Sequence, residues 1–471
     1  MSTFRSPATL ILSAILAGAF VPSGIKSQGA QSPDKEFQAA VKDYDSGQYQ
    51  AATRKLETLA RENPSTFEVQ ELLGLAYSAQ SKDQEAKPHL EKAVRLQPGS
   101  AAARTNLAVN LSKLGKNDQA EVEFKKAIAL EPANFDANHD LGELYVRAGK
   151  IAAAIPLLET AQRADASSYD NGYDLSLAYT NTGRLGDARR LISGLLKQQN
   201  TAELHNLLAD VEEKDGKFVA AANEYELAAH LDPSEPNLFD WGGELLVHQT
   251  ANPAIEVFSE AVKRFPNSAR LSIGLGLALD LRGDYDAAVK ALVRATDLEP
   301  ADPHTYFFLS RVYDRSPSQA EEVVQRFRRF ADLRPKDAEA VFYYAMSLWK
   351  GRRSETSQEY LDQVQSLLKK AIELNVSSSD AHFQLANLYS QRRQYAEAVP
   401  EYQLALKLSP DISDAHFRLG QAYVHIGKQD LANEEFKLHQ EYRKRHLAEV
   451  DKERSDIQIF VYSTKGPPAG P

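Results

Sequence analysis

Apolar residues recur along this chain in pairs of short amphipathic stretches. Leu107, Ala108 and Leu111 share one helical face by their i, i+1, i+4 spacing, and Ala120, Phe124 and Ala127 share a face of a second helix. Between them stands Gly115, where the first helix must stop and reverse, because a residue without a side chain enters the left-handed cap cheaply. Pro132 ends the second helix. The same skeleton returns about every 34 residues, next as Leu141, Gly142, Tyr145, Gly149, Ala154, Leu158 and Ala161. Glycines inside the predicted helices, such as Gly142, Gly276 and Gly420, each cost about 1 kcal/mol against alanine. Their recurrence therefore predicts close helix approach.

Further copies read Leu175, Tyr179, Gly183, Ala188, Leu195; then Leu208, Ala209, Gly216, Ala221, Tyr225, Ala228, Pro233; then Leu275, Gly276, Leu279, Gly283, Ala288, Leu292, Ala295, Pro300. Late copies carry Leu385, Ala386, Tyr389, Ala398, Tyr402, Ala405, Pro410 and Leu419, Gly420, Tyr423, Gly427, Ala432, Phe436. On these residues the chain resembles the tetratricopeptide repeat (TPR) family. The resemblance implies an all-α fold, a right-handed TPR superhelix or α-solenoid, with about twelve helix-turn-helix units between Phe37 and about Arg445. Three units depart from the pattern. The first, Phe37 to Pro64, reads one residue short in its turn. The unit at Pro236 to Pro266 has Gln249 in place of the turn glycine and Pro253 in the first turn of its second helix, where proline is tolerated. The unit from Ala338 to Asn375 carries extra residues around Gly351 to Gln358.

The organisation expected is a signal peptide over 1–30, the solenoid over 31–445, and a C-terminal extension over 446–471. After Arg5, the run Ala8 to Ala17 is too short for an ordinary transmembrane helix and leads into Gly18 and Ala19, as a secretory signal does. Cleavage after Ala19, Ser23 or Gly29 would export the protein to the periplasm or the exterior; an uncleaved run would be a membrane anchor. The chain has no cysteine, so no disulfide, metal-binding thiolate or lipid-bearing N-terminal cysteine is available. A net charge of −10 argues against nucleic acid as partner.

Catalytic and cofactor motifs are missing: no His-Glu-x-x-His, no Gly-x-Ser-x-Gly elbow, no phosphate-cradling loop. The expectation is a non-enzymatic protein with no cofactor and no metal. His382 and His416 recur in Asp-Ala-His-Phe at equivalent repeat positions, which reads as repeated packing rather than a metal pair. The carboxylate-clamp variant of the family needs basic residues beside Asn106, where Asp136 and Asp140 stand instead.

The resemblance implies that first helices line a concave groove holding a peptide or partner segment. Those positions are acidic early in the chain, with Asp136, His139, Asp140, Glu143, Asp170, Tyr173, Asp174, Asn206 and Asp210. Later they turn aromatic and basic, with Phe307, Phe308, Arg311, Arg315, Phe342, Trp349, Lys350, Phe383, Asn387, Phe417, Arg418 and Gln421. Such polarity suits a partner with a basic part near Asp140 and a carboxylate near Arg311 and Arg418, although acidic first turns also complement the helix dipole. The last helix is expected to run to about Glu453 as a polar cap. Ile457 to Tyr462 reads as a β-prone run that either lies back on the final helices or adds a strand to a partner. The function expected is a protein-interaction scaffold binding through its groove. The alternative is a subunit of a cell-envelope secretion or polysaccharide-export assembly that docks through its ends.

Overall fold

The computed structural model describes residues 33–351, 357–445 and 457–461. The signal-peptide expectation, the turn at 352–356 and the extension of the last helix past Arg445 lie outside them. The described chain divides at Lys217 and Phe218 into two compact units.

The N-terminal unit holds α1 (Pro33–Asp45), α2 (Tyr49–Glu62), α3 (Phe67–Ser78), α4 (Asp83–Leu96), α5 (Ala101–Lys113), α6 (Asn117–Leu130), α7 (Phe135–Arg147), α8 (Ile151–Ala164), α9 (Tyr169–Asn181), α10 (Leu185–Leu196) and α11 (Ala202–Lys214). The C-terminal unit holds α12 (Phe218–Leu231), α13 (Glu235–Val247), α14 (Ala251–Arg264), α15 (Ala269–Arg282), α16 (Tyr285–Leu298), α17 (Pro303–Val312), α18 (Ala320–Leu333), α19 (Ala338–Gly351), α20 (Gln358–Leu374), α21 (Ser379–Gln391), α22 (Tyr395–Leu408), α23 (Ser413–His425) and α24 (Gln429–Arg445). Odd-numbered helices are first helices and even-numbered ones second helices of the repeat. The all-α solenoid architecture is as the sequence predicts.

Local chemistry sets the boundaries. First helices start on polar caps: the side chains of Ser100 and Asn134 accept from the N–H groups of Ala103 and Ala137 at 3.1 and 2.9 Å. At the end of α5, Lys116 N–H reaches back to Leu111 C=O and Gly115 N–H to Ser112 C=O, both at 2.9 Å, with Gly115 at φ +72°. This is the six-to-one reversal that a left-handed residue permits. Gln249 holds the same conformation at φ +56° without being glycine, and both α13 and α14 form around it.

One expectation about turns is corrected and one is met. The first repeat is not short: α1 and α2 are separated by three residues with Gly47 at φ +77°, as α5 and α6 are around Gly115. The Ala338 repeat does begin its second helix late, at Gln358, whereas the unforeseen irregularity is the repeat before it. There α17 stops after 10 residues and gives way to two 3-10 turns, Tyr313–Arg315 and Pro317–Gln319. Pro317 excludes helical geometry from Ser316, which sits at φ −126°, ψ +77°.

The skeleton residues are the core. Ala108, Ala120, Phe124 and Ala127 are fully buried or nearly so. A Cβ built on Gly142 would lie 2.6 Å from Leu158, one on Gly276 2.6 Å from Leu292, and one on Gly420 2.6 Å from Phe436. The helices of each pair thus approach too closely for a side chain there, which answers the propensity cost of glycine. Successive first helices touch one another directly in both units, at α3/α5, α5/α7, α7/α9 and α9/α11 and again at α13/α15, α15/α17 and α21/α23. They therefore line the inner side of each unit, with the second helices outside. No helix among the described residues is long and apolar enough to cross a membrane.

Candidate functional site

The inner face of the N-terminal unit is acidic and partly dehydrated. Glu71 on α3, Asp140 on α7 and Asp174 on α9 project from it half-buried. Burial pushes Glu71 up to about 7, although Asn106 Nδ2 donates to its carboxylate at 3.1 Å and pulls the other way. Asp174 is likewise pushed up to about 7, first by burial and then by the charges of Glu143 and Asp170, against the opposing pull of Arg147. Asp140 rises well above the carboxylate range for the same reasons, with Asp136 and Glu143 as its like-charged neighbours. The face therefore holds protons at neutral pH that isolated carboxylates would have released.

The predicted acidic residues do not all belong to that face. Tyr173 is 1 % exposed and stacks beside Tyr169, with ring centroids 6.4 Å apart, so it is core and offers nothing to a ligand. Glu143 is buried and forms an ion pair with Arg147 at 3.2 Å. His139 Nδ1 faces Asn171 Oδ1 at 3.2 Å, and burial lowers its pKa. Asp136, Asp170, Asn206 and Asp210 remain partly exposed. Glu71 escaped the sequence reading, although its position one repeat before Asn106 was a usable signal.

In the C-terminal unit, three successive first helices open a cleft of about 510 Å³. Trp349 and Lys350 come from α19, Asn387 from α21, and Arg418 and Gln421 from α23, so five predicted residues converge on it. Met346, Tyr395 and His425 are among the further lining residues that were not foreseen. Its polar groups are held in place: Trp349 Nε1 donates to Gln391 Oε1 at 3.0 Å, Tyr402 Oη donates to Asn387 Oδ1 at 2.7 Å, and Lys350 pairs with Asp314 at 3.0 Å. Arg418 is exposed, with Asp414 at 3.8 Å. Phe383 and Phe417 do not line the cleft. They are half-buried against Tyr402 and Phe436, with ring centroids 6.0 and 5.8 Å away. Phe342 packs beside Tyr343 at 6.1 Å.

Arg315 is corrected: it stands in the first 3-10 turn rather than on a first helix, paired with Asp280 at 2.9 Å and lying over the Tyr285 ring. Arg311 lies over the Phe307 ring at 5.6 Å. His382 and His416 are buried, each with Nδ1 at 2.6 Å from a glutamate, Glu401 and Glu435, and Nε2 facing the backbone oxygen of Val376 or Pro410. Both nitrogens of each ring are thus used inside the repeat. Burial opposes the charged form of His416, but the hydrogen bond to Glu435 and the Pro410 carbonyl outweigh it and raise its pKa.

The C-terminal segment overturns the expectation of a strand. Residues 457–461 are helical, and they lie not on the final helices but against α13 and α17. Phe460 meets the Phe239 and Phe308 rings edge to face, at 5.6 and 5.0 Å, and both Phe460 and Val461 are buried.

Comparison with curated proteins finds no match. Among solved structures, the Naa15/Naa10 complex bound to HypK-THB matches at 18% identity and TM-score 0.35, over 87% of this chain and 68% of its own. A tetratricopeptide repeat protein from Parabacteroides merdae matches at 15% identity and TM-score 0.37, over 60% of this chain and 100% of its own. PilW, a type IV pilus biogenesis factor, matches at 19% identity and TM-score 0.39, over 44% of this chain and 96% of its own. Tetratricopeptide repeat family models match residues 37–101 and 253–305, 113–171 and 146–211, 367–399, and 386–427. With the repeat skeleton in the core and these matches over more than half its length, the chain belongs to the tetratricopeptide repeat family.

Proposed function

We propose that this protein is an exported scaffold that binds segments of partner proteins on the inner faces of its first helices, and that it has no catalytic role. Family membership supports the interaction role; the surfaces and the compartment are our own reading. The observation that carries it is the cleft built by α19, α21 and α23, where Trp349, Asn387 and Arg418 converge from three repeats. Tryptophan and arginine, which both line the cleft, are residue types enriched where binding energy concentrates. Arg418 would receive a carboxylate of the partner segment, while Asp140 and Asp174 in the N-terminal unit, giving up their protons as a cation pairs with them, would receive a basic one.

The test is affinity capture with the signal-free protein from an envelope or secreted extract, beside the Trp349→Ala/Arg418→Glu variant. Loss of a partner from the variant, with thermal unfolding unchanged, supports the cleft. A partner retained at full strength would favour docking through the ends of the solenoid, as in an envelope secretion or polysaccharide-export assembly.

A further inference from the structure

The inner face of the C-terminal unit already holds a peptide, and the peptide is part of this chain. Ile457, Phe460 and Val461 fall on one side of a helical turn by their i, i+3, i+4 spacing, whereas Ile459 points away and is 62 % exposed. Ile457, Phe460 and Val461 all join the apolar cluster built by α12 to α19. Phe460 enters between Phe239 of α13 and Phe308 of α17 with both rings edge-on, the geometry aromatic pairs prefer.

The seat of Val461 is cut for it. Alpha-helix α13 carries two adjacent glycines. Gly242 answers to its own repeat, since a Cβ there would meet Phe258 of α14 at 2.8 Å. Gly243 does not. The nearest atoms to a Cβ at Gly243 belong to the Val461 side chain, the closest at 2.9 Å. A second helix-weakening glycine is thus placed where it admits an anchor of the docked segment, and helix packing within the repeat does not ask for it.

We propose that the face formed by α13 and α17 is a helix-in-groove binding site, whose resident ligand in cis is the segment 457–461 of this chain. A partner segment with the same apolar spacing, an aromatic at the fourth position and a β-branched residue at the fifth, enters by displacing it. This deepens the scaffold reading and rests on it. Recognition of an amphipathic helix through i, i+3 and i+4 anchors is a recurrent mode. The segment is covalently part of the chain, so its docking is intramolecular and a free peptide competes at a disadvantage.

The experiment uses the whole chain and a fluorescent peptide of residues 452–466. Its anisotropy is titrated against the wild type, the Phe460→Ala/Val461→Ala variant, and that variant with Gly243→Leu added. The expected result is at least tenfold tighter binding to the emptied groove than to the wild type, lost again when Gly243→Leu fills the seat. Equal affinity for wild type and emptied variant, or no binding to an emptied variant that still unfolds cooperatively, overturns the proposal.

Should the emptied variant fail to fold, hydrogen exchange of 457–461 in the wild type decides. Excess peptide should accelerate exchange in that segment alone, and unchanged protection at saturating peptide refutes displacement. A wild-type dimer that becomes monomeric on Phe460→Ala/Val461→Ala would put the occupant in trans and overturn the assignment in cis. Trp349 and Arg418 take no part in these readouts, so the cleft and the self-occupied groove fail independently.

Discussion

The two units use one repeat skeleton to build opposite inner faces. In the N-terminal unit the first helices present Glu71, Asp140 and Asp174, half-buried and reluctant to ionise. In the C-terminal unit they present Phe239, Gly243 and Phe308, covered by a returning segment of the chain. The contrast separates two kinds of position. Residues facing the partner helix of the same pair, such as Ala120, Phe124 and Ala127, are bound by volume and hardly vary in kind. Positions on the inner side are limited only by solvation and by what lies against them, so one unit can be acidic and the other aromatic without altering the stack.

If that separation is right, the largest effect should come from the skeleton and not from either face. Ala127→Phe overpacks a fully buried junction and should destabilise by about 1–3 kcal/mol in denaturant unfolding. Lys125→Phe, two residues away on the exposed side, should change stability by under about 0.5 kcal/mol. Equal effects would contradict the register.

Next in size is Phe460→Ala. A buried phenylalanine in a continuous core costs about 3–5 kcal/mol when truncated, but a segment that can leave its groove caps the loss at its own docking energy. The expected destabilisation is about 1–2 kcal/mol, with the rest of the C-terminal unit still unfolding cooperatively. A loss of the full core magnitude would mean that 457–461 is an integral part of the unit's core and not a removable occupant.

The acidic face should answer in the opposite sense. Because the folded state holds the Asp174 proton up to about pH 7 while the unfolded chain releases it near 3.8, the cost of ionising this group to folding grows as the pH rises from about 4 and is complete above about pH 7. Asp174→Asn should therefore stabilise by about 1 kcal/mol at about pH 8.5, and the gain should fade as the pH falls toward about 4. A gain that is independent of pH would show that charge is not what strains this face.

The smallest effect belongs to His416 in the C-terminal unit. Its pKa is raised in the fold, so its contribution is complete below the ordinary value of 6.5 and is lost as the pH rises through the folded value. Thermal unfolding of His416→Gln should trail the wild type at about pH 6 by under about 1 kcal/mol and approach it at about pH 9. A difference that grows with pH would reverse the assignment.

Much of the architecture was legible in the chain. Gly115, the Ser100 and Asn134 caps, and Gly142 against Leu158 all act within one repeat, and a period of about 34 residues repeats each signal until it is unmistakable. The cleft was half legible: Trp349, Asn387 and Arg418 were named from their place on first helices, whereas Tyr395, which reaches the same cleft from a second helix, was not. Tyr173 illustrates the limit. It occupies a groove position by count, yet its ring is buried, because side-chain direction follows the space available and not the position number.

What the sequence determined was most of what neighbours set: the helix starts and stops other than the early end of α17, the paired stack, and the apolar core within each repeat. These depend on spacings of a few residues, and spacing is what a sequence records. What only the tertiary structure decided was the destination of residues 457–461. Their β-prone composition suggested a strand, but seating against Phe239, Gly243 and Phe308 made them helical. That contact joins positions more than 150 residues apart, where no periodicity reaches. Burial of two apolar side chains in a fitted groove outweighs the weak local preference of five residues.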